Sequence, residues 1–274
     1  MEKPKNVWWP YQTITLDNGK QVYKRYSLTP IIVLLVLIAV YFSVEMTGFK
    51  MKTLLNRGDE FFVILGRMFP PNFKFTGKIL PPLIDTIKMS VLGTIIGAIL
   101  SIPIALLASQ NISHSAIISS IMKFILSFIR TMPTLVTALI LTYIFGLGTF
   151  AGTLAIAIFT FSFVGKQLYE AIESSDLSPY EAMESLGSDK LKSFMAAIVP
   201  QVLPAFLSVS LYTFEGNVRH AAILGYVGAG GIGILLNENI AWREYENVGM
   251  ILLCLLVTVA IIETLSRYLR KKLS

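Results

Sequence analysis

The sequence predicts an all-α, polytopic membrane protein with six transmembrane helices, the last five forming one core. Three observations carry this. Of the 274 residues, 54% are apolar and 15% charged, and the mean hydropathy of +0.66 exceeds that of ordinary soluble domains. The apolar residues gather in runs long enough to cross a bilayer at about 1.5 Å per helical residue. One long charged segment, residues 181–204, lies between strongly apolar spans. The formal net charge of +6 does not point to nucleic acid, because the basic residues flank apolar spans and form no basic-aromatic face. A single cysteine, Cys254, allows neither a disulfide nor a cysteine metal site within one chain.

Taken in order, residues 1–27 form a polar arm whose Trp8, Trp9 and Tyr11 suit a membrane interface. Residues 28–80 hold the first transmembrane helix, built on IIVLLVLIAVYF, and a loop with an amphipathic, surface-lying piece at 54–68. No small-x-small site follows the apolar run, so the first span reads as uncleaved. The remainder, 81–274, reads as one transmembrane domain. Its second span, 89–109, carries Gly93 and Gly97 at a spacing that permits close helix contact, and Pro103 as a kink. A third span begins near Phe124 and is broken or bent at Pro133. The GLG turn at 146–148 leads to a fourth, from Phe150 toward Leu168. The fifth covers 201–225 and the sixth 248–268, before the basic tail RYLRKKLS.

Six spans place both termini and the loop at 166–200 on one side. The segments assigned to that side hold fourteen lysines and arginines against seven on the other, which puts the termini in the cytoplasm. Within the loop, Ser178 as cap, Pro179 at the first helical position and Glu181 three residues after Ser178 predict a short helix. Gly187 suits the left-handed position past its end, and Ser188 can cap a second helix that stops before Pro200. From residue 166 to 192 there are six acidic residues against three lysines. A capped, acidic, twice-helical loop is suited to docking a soluble partner. No GxxxxGK[ST] phosphate loop occurs, so energy for pumping must come from another chain.

EAMESLG, followed by VPQVLP, resembles the EAA loop of binding-protein-dependent ABC importer permeases. DTIKMSVLGTIIGAILSIPIALLAS, RTMP, GLGTFAGTLAIAI and LYTFEGNVRHAAILGYVGAGGIG resemble the phosphonate-transport permeases, over most of residues 85–272. The resemblance implies a methionine-importer-like transmembrane fold in a cell-membrane protein and a coupling helix on the loop, with Glu181, Ala182, Leu186, Gly187, Ser188 and Asp189 meeting a cytoplasmic ABC ATPase dimer. It also implies an extracytoplasmic solute-binding protein and a second permease copy or paralogue. ATP and magnesium would bind the ATPase, and no cofactor this chain. FTFSFVGKQL and Tyr180 depart from the family pattern and bear on the substrate, for which methionine or a betaine is the alternative to a phosphorus oxyanion. An autonomous secondary transporter or channel is the rival from another class.

In the fifth span Glu215 and Arg219 lie four apart, on one helix face, with Asn217 and His220 beside them. They read either as a structural bridge or as a pathway lining in which Arg219 attracts an anion. Two histidines, His114 and His220, do not make a metal set. Gly228, Gly230 and Gly233 spell a dinucleotide fingerprint without its strand. With Gly231 they predict a bend or re-entrant turn at an outer gate. No catalytic constellation appears.

Overall fold

The computed structural model describes residues 11–15, 19, 21–25, 28–113 and 115–273. Trp8, Trp9 and His114 lie outside these. The chain divides into two compact units, Met1–Val63 and Ile64–Ser274. The first contains an antiparallel hairpin of β1 (Tyr11–Thr15) and β2 (Gln21–Arg25), in register from Tyr11 opposite Arg25 to Thr15 opposite Gln21. The sequence reading treats this stretch as an arm without strands. The β-favouring runs YQTIT and QVYKR, separated by a DNG turn signal, carry the missed cue. Helix α1 (Thr29–Thr47) follows, with Pro30 in its first turn and Gly48 closing it. None of its residues is buried. Being apolar all round, it is a helix whose solvent is lipid. Helix α2 (Met51–Arg67) is strongly amphipathic, as its pattern predicts.

The second unit is helical throughout: α3 (Thr76–Ala108), α4 (Ala116–Thr131), α5 (Thr134–Phe145), α6 (Thr149–Glu173), α7 (Ser178–Ser185), α8 (Lys190–Ala197), α9 (Val199–Leu224), α10 (Ile232–Ala241) and α11 (Tyr245–Leu273). Among the described residues, four unbroken helical stretches are long and apolar enough to cross a membrane, and six spans result if each of two bent pairs counts as one. One bent pair is α4 and α5, which meet at 87° across Met132 and Pro133. The predicted break at Pro133 is therefore a right angle, and the helix before it starts at Ala116, not near Phe124. The other is α8 and α9, bent by 57°.

Helices α3 and α6 form the centre. A β-carbon at Gly93 would lie 2.7 Å from the Ile156 side chain, and one at Gly97 would lie 2.5 Å from the Ala157 carbonyl oxygen. The Gly93 and Gly97 spacing thus serves contact within the chain. Apolar burial offers little drive between helices in lipid, so close packing of small residues holds them together. Asn217 of α9 is fully buried against both helices, and its amide donates to Thr94 Oγ1 and Thr160 Oγ1, each at 2.8 Å. These bonds tie α3, α6 and α9 at one level.

Candidate functional site

The loop after α6 folds as two short helices. Ser178 is the first residue of α7 rather than its cap: the cap position is Leu177, which offers no side-chain bond, and Asp176 Oδ1, just before it, accepts from the Ser178 backbone N–H at 2.9 Å and from its hydroxyl at 2.8 Å. Those bonds, the backbone one foremost, hold the Asp176 carboxyl below its ordinary range. Gly187 has φ +85°. Its N–H donates to Glu184 O and that of Ser188 to Met183 O, the paired ending expected of a left-handed glycine cap. Helix α8 begins after Asp189, whose side chain makes no capping bond, and ends at Ala197. Pro200 does not stop it. Proline's missing N–H costs nothing in a first turn, and Pro200 occupies the first turn of α9.

Glu181, Ala182, Leu186, Gly187 and Asp189 are exposed, and Ser188 is half-buried. Leu186, at 88% exposure, is a bare apolar side chain at the tip of an otherwise polar turn. Behind the tip the loop is tied down from two sides. Gln201 of α9 accepts from Asp176 N and donates to Asp176 O, both at 3.0 Å, while Glu173 Oε1 accepts from Lys123 Nζ at 2.7 Å and Gln110 N at 2.8 Å. Tyr180 donates to Glu184 Oε1 at 3.0 Å. Burial first, then that bond, raises its hydroxyl pKa. Between the two short helices and the ends of α3, α6 and α9 lies an apolar cavity of about 700 Å³. Sequence reasoning missed Glu173, Asp176 and Gln201 as anchors.

Glu215 has two arginine partners. Its side chain is 7% exposed, with Oε1 2.5 Å from Arg219 and Oε2 3.4 Å from Arg270 of α11. Arg219 is 51% exposed. Two guanidinium groups share one carboxylate, and the more exposed of the two is Arg219. Arg270 also lies over the Tyr212 ring, 5.7 Å from its centroid. His220 stands edge to face with Phe159, centroids 5.5 Å apart, and its Nδ1 is buried with no hydrogen-bond partner among the described residues. On α6 the half-exposed positions Phe159, Phe163, Lys166 and Gln167 follow helical spacing and form one stripe, which meets α9 at Phe159 and Gln167. Near its loop end the two helices enclose about 400 Å³, lined in part by Gln167, Glu170 and Phe206.

The glycine-rich segment after α9 turns through a short 3₁₀ helix, Gly225–Val227, and returns as α10. Gly230, at φ +85°, sits so close to Thr149 that a β-carbon would lie 2.7 Å from its amide nitrogen. Gly228 abuts Leu147, Gly231 abuts Thr86, and Gly233 meets Gly225 backbone to backbone. Thr86 Oγ1 accepts from Ile232 N at 2.8 Å, and Gly148 N donates to Gly228 O at 2.9 Å. The segment is thus a tightly seated turn against α3 and the start of α6.

Residues 101–274, which include both anchors and the glycine turn, match the family described as binding-protein-dependent transport system inner membrane component. The chain belongs to that family. It is accordingly a permease subunit of a multi-pass transporter in the cell membrane, and membership implies a binding protein and an ATPase in general terms. It is 38% identical over 211 residues to the phosphate-import permease protein PhnE of Mycolicibacterium smegmatis, covering 77% of this chain but only 40% of that protein. To the phosphite transport system permease protein PtxC of Stutzerimonas stutzeri it is 34% identical, covering 80% of each. The inward-facing MetNI methionine ABC transporter superposes with a TM-score of 0.65 at 17% identity over 74% of this chain and 99% of that one. An amino acid ABC transporter gives 0.60 at 22%, over 73% and 98%. These two likenesses establish the fold.

Proposed function

We propose that this permease carries a small phosphorus oxyanion, a phosphonate, phosphite or phosphate, into the cell at the expense of ATP hydrolysed by a partner. The observation that carries the anion class is the Glu215 cluster, where two arginines flank one buried carboxylate and the Arg219 guanidinium is half-exposed on the side of α9 that meets α11. A passing anion finds a half-exposed guanidinium there, and in low dielectric that attraction is strong. The relatives named for phosphate, phosphite and phosphonate transport support the same class.

Exposed Leu186 beside Glu181, Ala182, Gly187, Ser188 and Asp189 supports docking of α7 and α8 on a cytoplasmic ATPase dimer that binds ATP and magnesium. Closure of the ATPases would draw two such loops together in a dimer of permeases. The Gln201 and Glu173 anchors would carry that displacement into α9, α3 and α4. The glycine turn would act at the opposite, outer mouth, where a binding protein delivers solute, with both termini in the cytoplasm.

The test is uptake by proteoliposomes holding this permease, its ATPase and its binding protein. ATP-dependent accumulation of methylphosphonate, phosphite or phosphate, abolished by Arg219→Glu, is the expected result. Accumulation without ATP, or of methionine but none of the oxyanions, would overturn the reading.

A further inference from the structure

Arg130 closes α4, immediately before the right-angled break into α5. The broken pair carries one other charged residue, Lys123, and that is neutralised by Glu173 at 2.7 Å. No carboxylate among the described residues lies within 4 Å of Arg130. Its guanidinium instead sits 5.9 Å from the centre of the Phe163 ring. Phe163 stacks on Phe159 with centroids 5.8 Å apart, and Phe159 meets His220. Arg130 therefore stands at one end of an aromatic ladder whose other end is His220, the neighbour of Arg219. Phe163 lies within α6, ten residues or about 15 Å along the helix before its loop end.

A guanidinium on a broken apolar helix pair, exposed in the single chain and with no carboxylate within 4 Å among the described residues, is open to an anion. A guanidinium is also the group best shaped to hold two oxygens of a tetrahedral oxyanion at once, and its hold on a ring face is weak enough to exchange for them.

We propose that Arg130 is a binding contact for a phosphate-like oxyanion on the transport path, with Phe163 as the surface on which its guanidinium rests while no anion is present. The assignment rests on the oxyanion-import reading for the identity of the ligand. Arg130 and Arg219 then form two cationic stations joined by rings that offer an anion no competing carboxylate.

The same chemistry is offered by a transported oxyanion and by a lipid headgroup, and the experiment separates them. The importer, complete with ATPase and binding protein, is purified in a phosphate-free maltoside with Phe163→Trp as reporter, because a guanidinium leaving an indole face changes its emission. Methylphosphonate is expected to produce a saturating change that disappears when Arg130→Gln is added. In proteoliposomes Arg130→Gln should lower the rate of methylphosphonate uptake by roughly tenfold, the scale of one lost charge-assisted hydrogen bond, with Arg130→Lys recovering part of it at equal insertion into the vesicles. A reporter that answers an anionic phospholipid but not methylphosphonate would make Arg130 a headgroup anchor and overturn the proposal. So would wild-type uptake by Arg130→Gln. If the reporter responds while the wild type accumulates no phosphorus oxyanion, the transport reading falls and the anion contact stands.

Discussion

Gln201 holds both backbone groups of Asp176, accepting from its N–H and donating to its carbonyl at 3.0 Å each, and its amide reaches Ala197 O at 2.8 Å as well. One side chain in the first turn of α9 thereby fixes the segment that launches α7. Gln201→Leu removes all three bonds at nearly constant volume. The expected cost is about 1–3 kcal/mol of local order, read as faster amide exchange across α7. ATP hydrolysis should continue while solute moved per ATP falls. An unchanged stoichiometry would show that the anchor does not transmit force.

Gly187 tests the shape of the peg itself. At φ +85° a β-branched residue is strained, so Gly187→Val should cost about 1–2 kcal/mol and open the end of α7. Membrane insertion should stay intact while solute-stimulated ATP hydrolysis is lost. Normal stimulation by this variant would remove the turn from the coupling step.

The cluster on α9 and α11 is expected to respond asymmetrically. Glu215→Gln leaves two neighbouring guanidinium groups without the carboxylate between them, and because both are partly exposed the cost is about 1–3 kcal/mol. Arg219→Gln leaves Glu215 with Arg270 and should be milder for thermal stability in detergent, yet it should be the more damaging for anion uptake. Equal effects of the two variants on both readouts would reduce the cluster to a structural bridge.

Acid should loosen the start of α7 through Asp176. Its pKa is lowered in the folded chain by the Ser178 N–H and hydroxyl, so the bonds are fully present above the ordinary value of 3.8 and are lost as pH falls through the lower folded value. Amide exchange at Ser178, corrected for its intrinsic pH dependence, should rise only in that acidic window. The rise should be absent in Asp176→Asn.

Much of this was legible in the residue order. Spans follow from uninterrupted apolar runs, because a backbone in lipid must satisfy its own hydrogen bonds and does so as helix. Pro133 announced a break, Gly93 and Gly97 a close approach, and Gly187 a left-handed helix end, because each acts through local backbone geometry. The hairpin at Tyr11–Thr15 and Gln21–Arg25 was locally written too, but composition directed attention to helices. Tertiary structure alone decided what Glu215 and Arg219 are. Their spacing on α9 makes them a pair, and a neutral pair draws no anion. Arg270 arrives from 55 residues away to set a second guanidinium on the same carboxylate. The same holds for Gln201 with Asp176, for Glu173 with Lys123 and for Arg130 with Phe163. Helical periodicity predicts which side chains share a face, whereas partnership across helices depends on crossing angle and depth, and the small residues that set those act together only once the bundle has formed.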